Sequence, residues 1–218
     1  EETFHFGRHT GVTLEARSIL SDYDSSEEQL TVYLATQTPH MMQTLFAKHM
    51  GLDDHRVRVI SGDVGGAFGI KVHSYADEYA TVALSIMLKR PVKFIADRLE
   101  SFTNDIHARD HRITARMAVS QDGEIQAIDY DDVTGVGPYS VYPRTSGIEA
   151  NQVVNMTGAQ YACPNYRAKT NVVFQNKTPM CQYRAVGHPI LTALTEGLVD
   201  KAADAIGMDP VDIRRKNL

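Results

Sequence analysis

Cysteine is scarce in this chain. The two present, Cys163 and Cys181, stand far apart and match neither a disulfide framework nor a zinc pattern, and an iron–sulfur cluster would need about four thiolates. A reducing, cytoplasmic setting is the default that follows. Basic charge is also short: 22 Lys and Arg against 27 Asp and Glu leave a net charge of −5, with no basic stripe and no aromatic platform interleaved with Arg, so nucleic acid is not an expected partner. Long hydrophobic runs are missing too. ATVALSIML is too short and too interrupted to span a bilayer, and no basic segment followed by an apolar one opens the chain, so neither a membrane nor an export signal is expected. There is no GxSxG elbow and nothing that marks either cysteine as an activated thiol, which removes support for hydrolysis.

What is there fits an α+β fold of mixed sheets with packed helices. The 218 residues are 43% hydrophobic, enough to bury a real core. The residues LTVYLATQ (30–37) read as a strand and PHMMQTLFAKHMG (39–51) as a helix, with Pro39 near its first position and Gly51 as its stop. The alternating HRVRVIS (55–61) reads as a strand; after a glycine loop come helix 75–88 and strand 91–97. RITARMAVS, a turn at Asp122-Gly123 and EIQAIDYDDVTG make a hairpin; 135–147 is loop, 166–176 a strand, 189–207 an amphipathic helix and 210–217 a short last helix. Strands and helices do not alternate strictly, which favours α+β over a doubly wound sheet. The expected organisation is one domain over 1–218, with sub-lobes of about 1–110 and 111–218. Because it opens on Glu1 and closes on RRKNL, the chain reads as a piece of something longer.

Three loops carry candidate chemistry. In SGDVGGAFGIK, Gly62, Gly65, Gly66 and Gly69 lie between a strand and a helix, where backbone N–H groups can point at an anion without obstruction. Neither GxGxxG nor GxxxxGK[ST] fits, and the spacing leaves two readings open, a tight packed turn and a ligand site. CQYRAVGHP (181–189) sets Arg184 before a helix, as an oxyanion-binding fork or an ordinary surface arginine. In TQTPH, Gln37 at a strand end can donate and accept at once, or be a plain turn residue. His107 and His111 in DIHARDH are spaced i, i+4 beside Asp105 and Asp110, but the segment is turning into a strand and does not offer the sustained helix a metal pair needs. Met41, Met42 and Met50 read as core filler.

Taken together and in this order, GDVGGAFGIK, TQTPH, YRAVGHP and DIRRKNL resemble the molybdopterin-binding large subunit of the xanthine dehydrogenase and aldehyde oxidase family, with likeness to the carbon monoxide dehydrogenase large chain. The family pattern for the first loop is close to DVGGGFGxK, and Ala67 is the departure. The likeness runs from about Leu14 to Leu218 and corresponds to the first half of the molybdenum domain of a longer subunit. It implies that Gly66, Ala67, Phe68 and Gly69 hold the cofactor, the Phe68 and Gly69 amides approaching the ligands of the molybdenum centre. It implies too that Gln37 contacts an oxygen ligand of the metal, that Arg184 serves cofactor and substrate, and that Arg214 helps hold the cofactor. No protein side chain is expected to ligate the metal.

The implied activity is hydroxylation of an aldehyde or N-heterocycle carbon with water-derived oxygen. The implied cofactor is molybdopterin, in the cytosine dinucleotide form, with molybdenum. Electrons would pass to 2Fe-2S on a small subunit and FAD on a medium subunit. Partners would be these two and the remaining C-terminal half of the large subunit. The family's catalytic glutamate lies in a GExP-like segment that does not occur here, so the isolated piece is expected to be apo and inactive. Where the carbon monoxide enzyme carries YRCSFR, this chain has YRAVGH, so Ala185 replaces the copper-bridging cysteine. Val72 stands where xanthine-oxidising members carry a glutamate. The alternatives are a non-catalytic cofactor-cradling or assembly module of a split large subunit, and a carbon monoxide dehydrogenase large chain.

Overall fold

A computed structural model describes residues 1–218. The chain divides into two compact units. One comprises Glu1–His9, His107–Ser140 and Thr145–Leu218 and carries the arginine loop; the other comprises Thr10–Ile106 and Val141–Arg144 and carries the glycine loop.

The arginine-loop unit is built on a four-stranded sheet of β1 (Glu2–Phe6), β6 (His111–Val119), β7 (Ile125–Gly135) and β8 (Tyr166–Val173), in that order. The β6–β7 hairpin turns at Asp122-Gly123 as its sequence predicts, with Gly123 at φ 83°, a conformation that glycine adopts without strain. β1 pairs antiparallel with β6, and β8 runs parallel to β7. Helices α4 (Ile148–Met156) and α5 (His188–Ile206) supply the other side of a core of Ile113, Ile128, Tyr130, Val153, Ile190, Leu194, Leu198 and Val199. Gly207, at φ 67°, ends α5 in the left-handed conformation typical of helix stops. α6 (Pro210–Asn217) begins where the Asp209 carboxylate accepts the Val211 N–H at 2.7 Å.

The glycine-loop unit has β2 (Ser18–Asp24), β3 (Gln29–Leu34), β4 (Val57–Ile60) and β5 (Val92–Ile95) in the order β4-β3-β2-β5. β3 alternates strictly: Leu30, Val32 and Leu34 point to a core that α1 (Pro39–Met50) closes with Met42 and Phe46, and α2 (Ala76–Leu88) with Val82. Each of these apolar side chains, fully withdrawn from water, contributes roughly 1.5–3 kcal/mol. Gly51 stops α1 at φ 70°, as expected. Glu78 reaches back to the Tyr75 N–H at 3.1 Å and fixes the start of α2. α3 (Arg98–Asn104) starts on a reciprocal capping box, Asp97 and Glu100 each accepting the other's backbone N–H at 2.8 Å. No helix is long and apolar enough to cross a membrane.

Several boundaries differ from the sequence reading. β3 stops at Leu34, so Gln37 lies three residues beyond the strand rather than at its end. Residues 54–56 form a 3-10 turn ahead of β4, and another at Ile70–Val72 separates the glycine loop from α2. β8 ends at Val173, short of residue 176.

Candidate functional site

The glycine loop leaves β4 and turns back on itself. Gly66 and Gly69 both sit at φ 100°, where an L side chain is strained, and Phe68 between them is left-handed at φ 51° and 43% exposed. At Gly65 the constraint is space: a Cβ there would lie 2.6 Å from the Cβ of Glu15. The opening of the loop is tied down by one carboxylate, since Glu15 Oε2 accepts both the Gly65 N–H and the Lys71 ammonium at 2.8 Å. Burial pushes the Glu15 carboxyl up, but the Lys71 and Gly65 bonds outweigh it and hold the group below its usual range. The Lys71 carbonyl in turn accepts the Gln37 N–H at 2.9 Å and the Thr36 hydroxyl at 3.1 Å.

These contacts deliver Gln37 to the loop. Its side-chain oxygen accepts the Gly69 N–H at 3.0 Å. That single bond orients the amide: the acceptor end faces the protein, and Nε2, a donor, is given to no acceptor of the chain. The Gly69 N–H is therefore committed to Gln37.

Arg184 belongs to the other unit. Its loop runs from Cys181 to the start of α5 and holds two consecutive left-handed residues, Ala185 at φ 67° and Val186 at φ 52°. The Arg184 side chain is exposed, while its carbonyl accepts Nη2 of Arg109 at 2.6 Å. Arg214, read from sequence as a cofactor residue, ties α6 to α5: Nε donates to Glu196 at 2.8 Å, Nη2 lies 2.8 Å from Asp200, and Nη1 donates to the Pro210 carbonyl at 2.8 Å.

Nowhere do three or more His, Cys, Asp or Glu side chains gather as metal ligands. His111 instead lies buried 3.0 Å from both Asp132 oxygens, with Nε2 3.4 Å from Glu149 in an ion-pair contact. Burial would lower its pKa, yet Asp132 and Glu149 prevail and raise it to about 9. Asp105 pairs with Arg17 at 2.6 Å. Sequence reasoning missed Glu15, Arg109 and Glu149. Arg109 stood in the same DIHARDH segment that was weighed only for its histidines.

Comparison with solved structures gives the class. The whole chain superposes on 28% of quinoline 2-oxidoreductase from Pseudomonas putida 86 with a TM-score of 0.94 and 32% identity. Among curated relatives, the nicotine 6-hydroxylase large subunit of Paenarthrobacter nicotinovorans is 33% identical over 217 residues, 99% of this chain and 26% of that protein. The carbon monoxide dehydrogenase large chain of Hydrogenophaga pseudoflava is 29% identical over 94% of this chain and 26% of that protein. Residues 1–218 match the molybdopterin cofactor-binding domain, and the chain belongs to that family. It spans about a quarter of the length of these relatives.

The residues fit such a cofactor. A polar, anionic group needs close access to backbone and a donor with no other partner; the glycines at 66 and 69 supply the first and the Nε2 of Gln37 the second.

Proposed function

We propose that this chain is the cofactor-holding first part of the large subunit of a molybdenum hydroxylase acting on an aldehyde or an N-heterocycle. When bound, molybdopterin in its cytosine dinucleotide form would supply, through its molybdenum, the two-electron redox chemistry needed to add a water-derived oxygen to carbon. Gln37 presents its Nε2 to the cofactor's oxygens, and the backbone of Gly66, Ala67 and Phe68 lets the cofactor approach closely. Gly69 acts by fixing Gln37, and Arg214, which braces α6 against α5, helps hold the cofactor. Arg184, exposed on its loop, stabilises negative charge that develops on the substrate. The remaining half of the large subunit supplies the glutamate base, and a 2Fe-2S small subunit and an FAD medium subunit take the electrons, in the cytoplasm. Copper is disfavoured because Ala185 offers no sulfur.

The observation that carries this reading is Gln37 held at 3.0 Å on the glycine loop with its donor end left over. It is tested by metal analysis and pterin fluorescence on the intact protein, followed by a screen of aldehydes and azaheterocycles with an artificial electron acceptor. Molybdenum and pterin should co-purify, and Gln37→Ala should lower turnover about a hundredfold, as for loss of one preorganised donor. An intact protein without molybdenum or pterin would overturn the reading and favour a non-catalytic module.

A further inference from the structure

Arg109 has no part in the reading above, yet its buried guanidinium is bonded on every side. The residue is 4% exposed, left-handed at φ 68°, and lies just before β6. Its guanidinium donates to three backbone carbonyls of one loop: Arg184 at 2.6 Å, Tyr183 at 3.3 Å, and Val186. Glu149, 1% exposed in the first turn of α4, accepts from Arg109 twice, once from Nη1 and once from the backbone N–H at 2.8 Å. The guanidinium carbon lies 5.4 Å from the centre of the Tyr183 ring.

The loop needs such a hold. Ala185 and Val186 are consecutive non-glycine residues at positive φ, each costing of order 1–3 kcal/mol, and such residues persist only where the surroundings over-determine them. Three carbonyl dipoles converging on one point repel unless a cation sits among them. A planar guanidinium can donate to all three at once while facing a carboxylate; the point charge of lysine cannot keep that geometry. α4 closes the far end: the Gly187 N–H donates to Gln152 at 2.9 Å, and a Cβ at Gly187 would lie 2.8 Å from the Glu149 carbonyl.

We infer that Arg109, anchored by Glu149, is a positioning residue that sets the backbone of the Tyr183–Val186 loop and thereby the direction in which Arg184 is presented to substrate. The inference rests on the role given to Arg184 above, and the test separates the two. In the intact holoprotein, Arg109→Lys, Glu149→Gln, Arg184→Ala and the Arg109→Lys/Arg184→Ala double variant are compared. The first readout is independent of the cofactor: limited trypsin digestion with mass spectrometry at the Arg184–Ala185 bond. Arg109→Lys should speed that cut by about tenfold, as a locally released loop does, with cuts after Lys89 and Arg215 unchanged. The second readout uses whichever aldehyde or azaheterocycle the wild-type protein turns over fastest. There, Arg109→Lys should lower kcat about tenfold with KM nearly constant, and should add nothing to the loss already caused by Arg184→Ala.

Unchanged cleavage after Arg184 in both Arg109→Lys and Glu149→Gln overturns the inference, as does a kcat loss fully additive with Arg184→Ala. If Arg184→Ala alone leaves turnover intact, the role of Arg184 falls, and with it the link from Arg109 to substrate. Should Arg109→Lys fail to accumulate, Glu149→Gln decides, since it keeps the size of the side chain and removes the charge that anchors Arg109; because that charge also faces His111, the Arg184–Ala185 cut rather than global stability is the readout.

Discussion

At Glu15 a single carboxylate oxygen accepts both a backbone N–H and an ammonium, and the two partners differ in how far they depend on it. The Lys71 side chain is 0% exposed, whereas that of Glu15 is 36% exposed, so water can replace Lys71 at the carboxylate but nothing can replace the carboxylate at Lys71. Glu15→Gln should therefore cost more, about 3–5 kcal/mol for a charge left unpaired in the interior, and Lys71→Met less, about 1–3 kcal/mol. Urea denaturation of both variants checks the order; a costlier Lys71→Met would show that the ammonium is not isolated as the geometry requires. A second contrast lies inside the glycine loop. Gly65→Ala forces a Cβ to 2.6 Å from that of Glu15 and should destabilise by about 1–3 kcal/mol, while Gly62→Ala meets nothing within 4 Å and should be close to neutral. Equal melting points for the two alanine variants would refute the view that close packing, rather than turn geometry alone, excludes a side chain at Gly65.

Elements announced by their own caps were legible in the sequence. Pro39 and Gly51 bracket α1, Gly207 ends α5, and Asp122-Gly123 marks the hairpin, because each signal lies within a few residues of what it controls. β1 carries no such signal: its pairing partner for Glu2 is Ala115, and only the folded sheet brings the two together. α4 starts on Gly147 with no side-chain cap, and nothing in IEANQVVNM announces its beginning. The site divides the same way. Gln37 and the glycines could be picked out locally, while Glu15 meets Lys71 across 56 residues and Glu149 meets Arg109 across 40. Asn217 shows how far such a contact reaches. Buried at the end of α6, it accepts the Ile125 N–H at 2.8 Å and donates to the Gly123 carbonyl at 2.7 Å, so one amide fastens the last helix to the hairpin turn. Asn217→Ala should cost about 2–4 kcal/mol by leaving buried backbone groups unpaired, against about 1 kcal/mol for removing the Asp209 cap at the other end of the same helix. Denaturation midpoints would check the pair, and equal costs would refute the fastening role.

For the molecule as a whole, three buried groups dominate how stability varies with pH above about 4.5, while Asp105, which burial also raises, acts on the acid side in the same sense as Glu78. Burial raises Glu78 to about 8 from 4.5, despite the nearby Arg17. The folded state therefore holds a proton there that the unfolded state releases, and stability present below 4.5 is lost as pH rises through 8. His111, raised to about 9 from 6.5, behaves the same way between those values. His73 is opposite: burial lowers it to about 4, so stability present above 6.5 is lost as pH falls through 4. Between 4.5 and 6.5 the Glu78 and His73 contributions run in opposite directions and nearly cancel, which gives a plateau. From 6.5 to 8 Glu78 and His111 act together, so the loss there should correspond to about two protons, or about 2.7 kcal/mol per pH unit. Below the plateau, Glu15 and Glu196, both held below their ordinary range, add to the acid-side loss. Unfolding free energies measured from pH 4 to 9.5 should trace that shape, and Glu78→Gln should halve the slope between 6.5 and 8 while leaving the limb above 8 to His111. A slope unchanged by Glu78→Gln would mean that its carboxyl is ionised in the fold, and that Arg17 and not burial governs it.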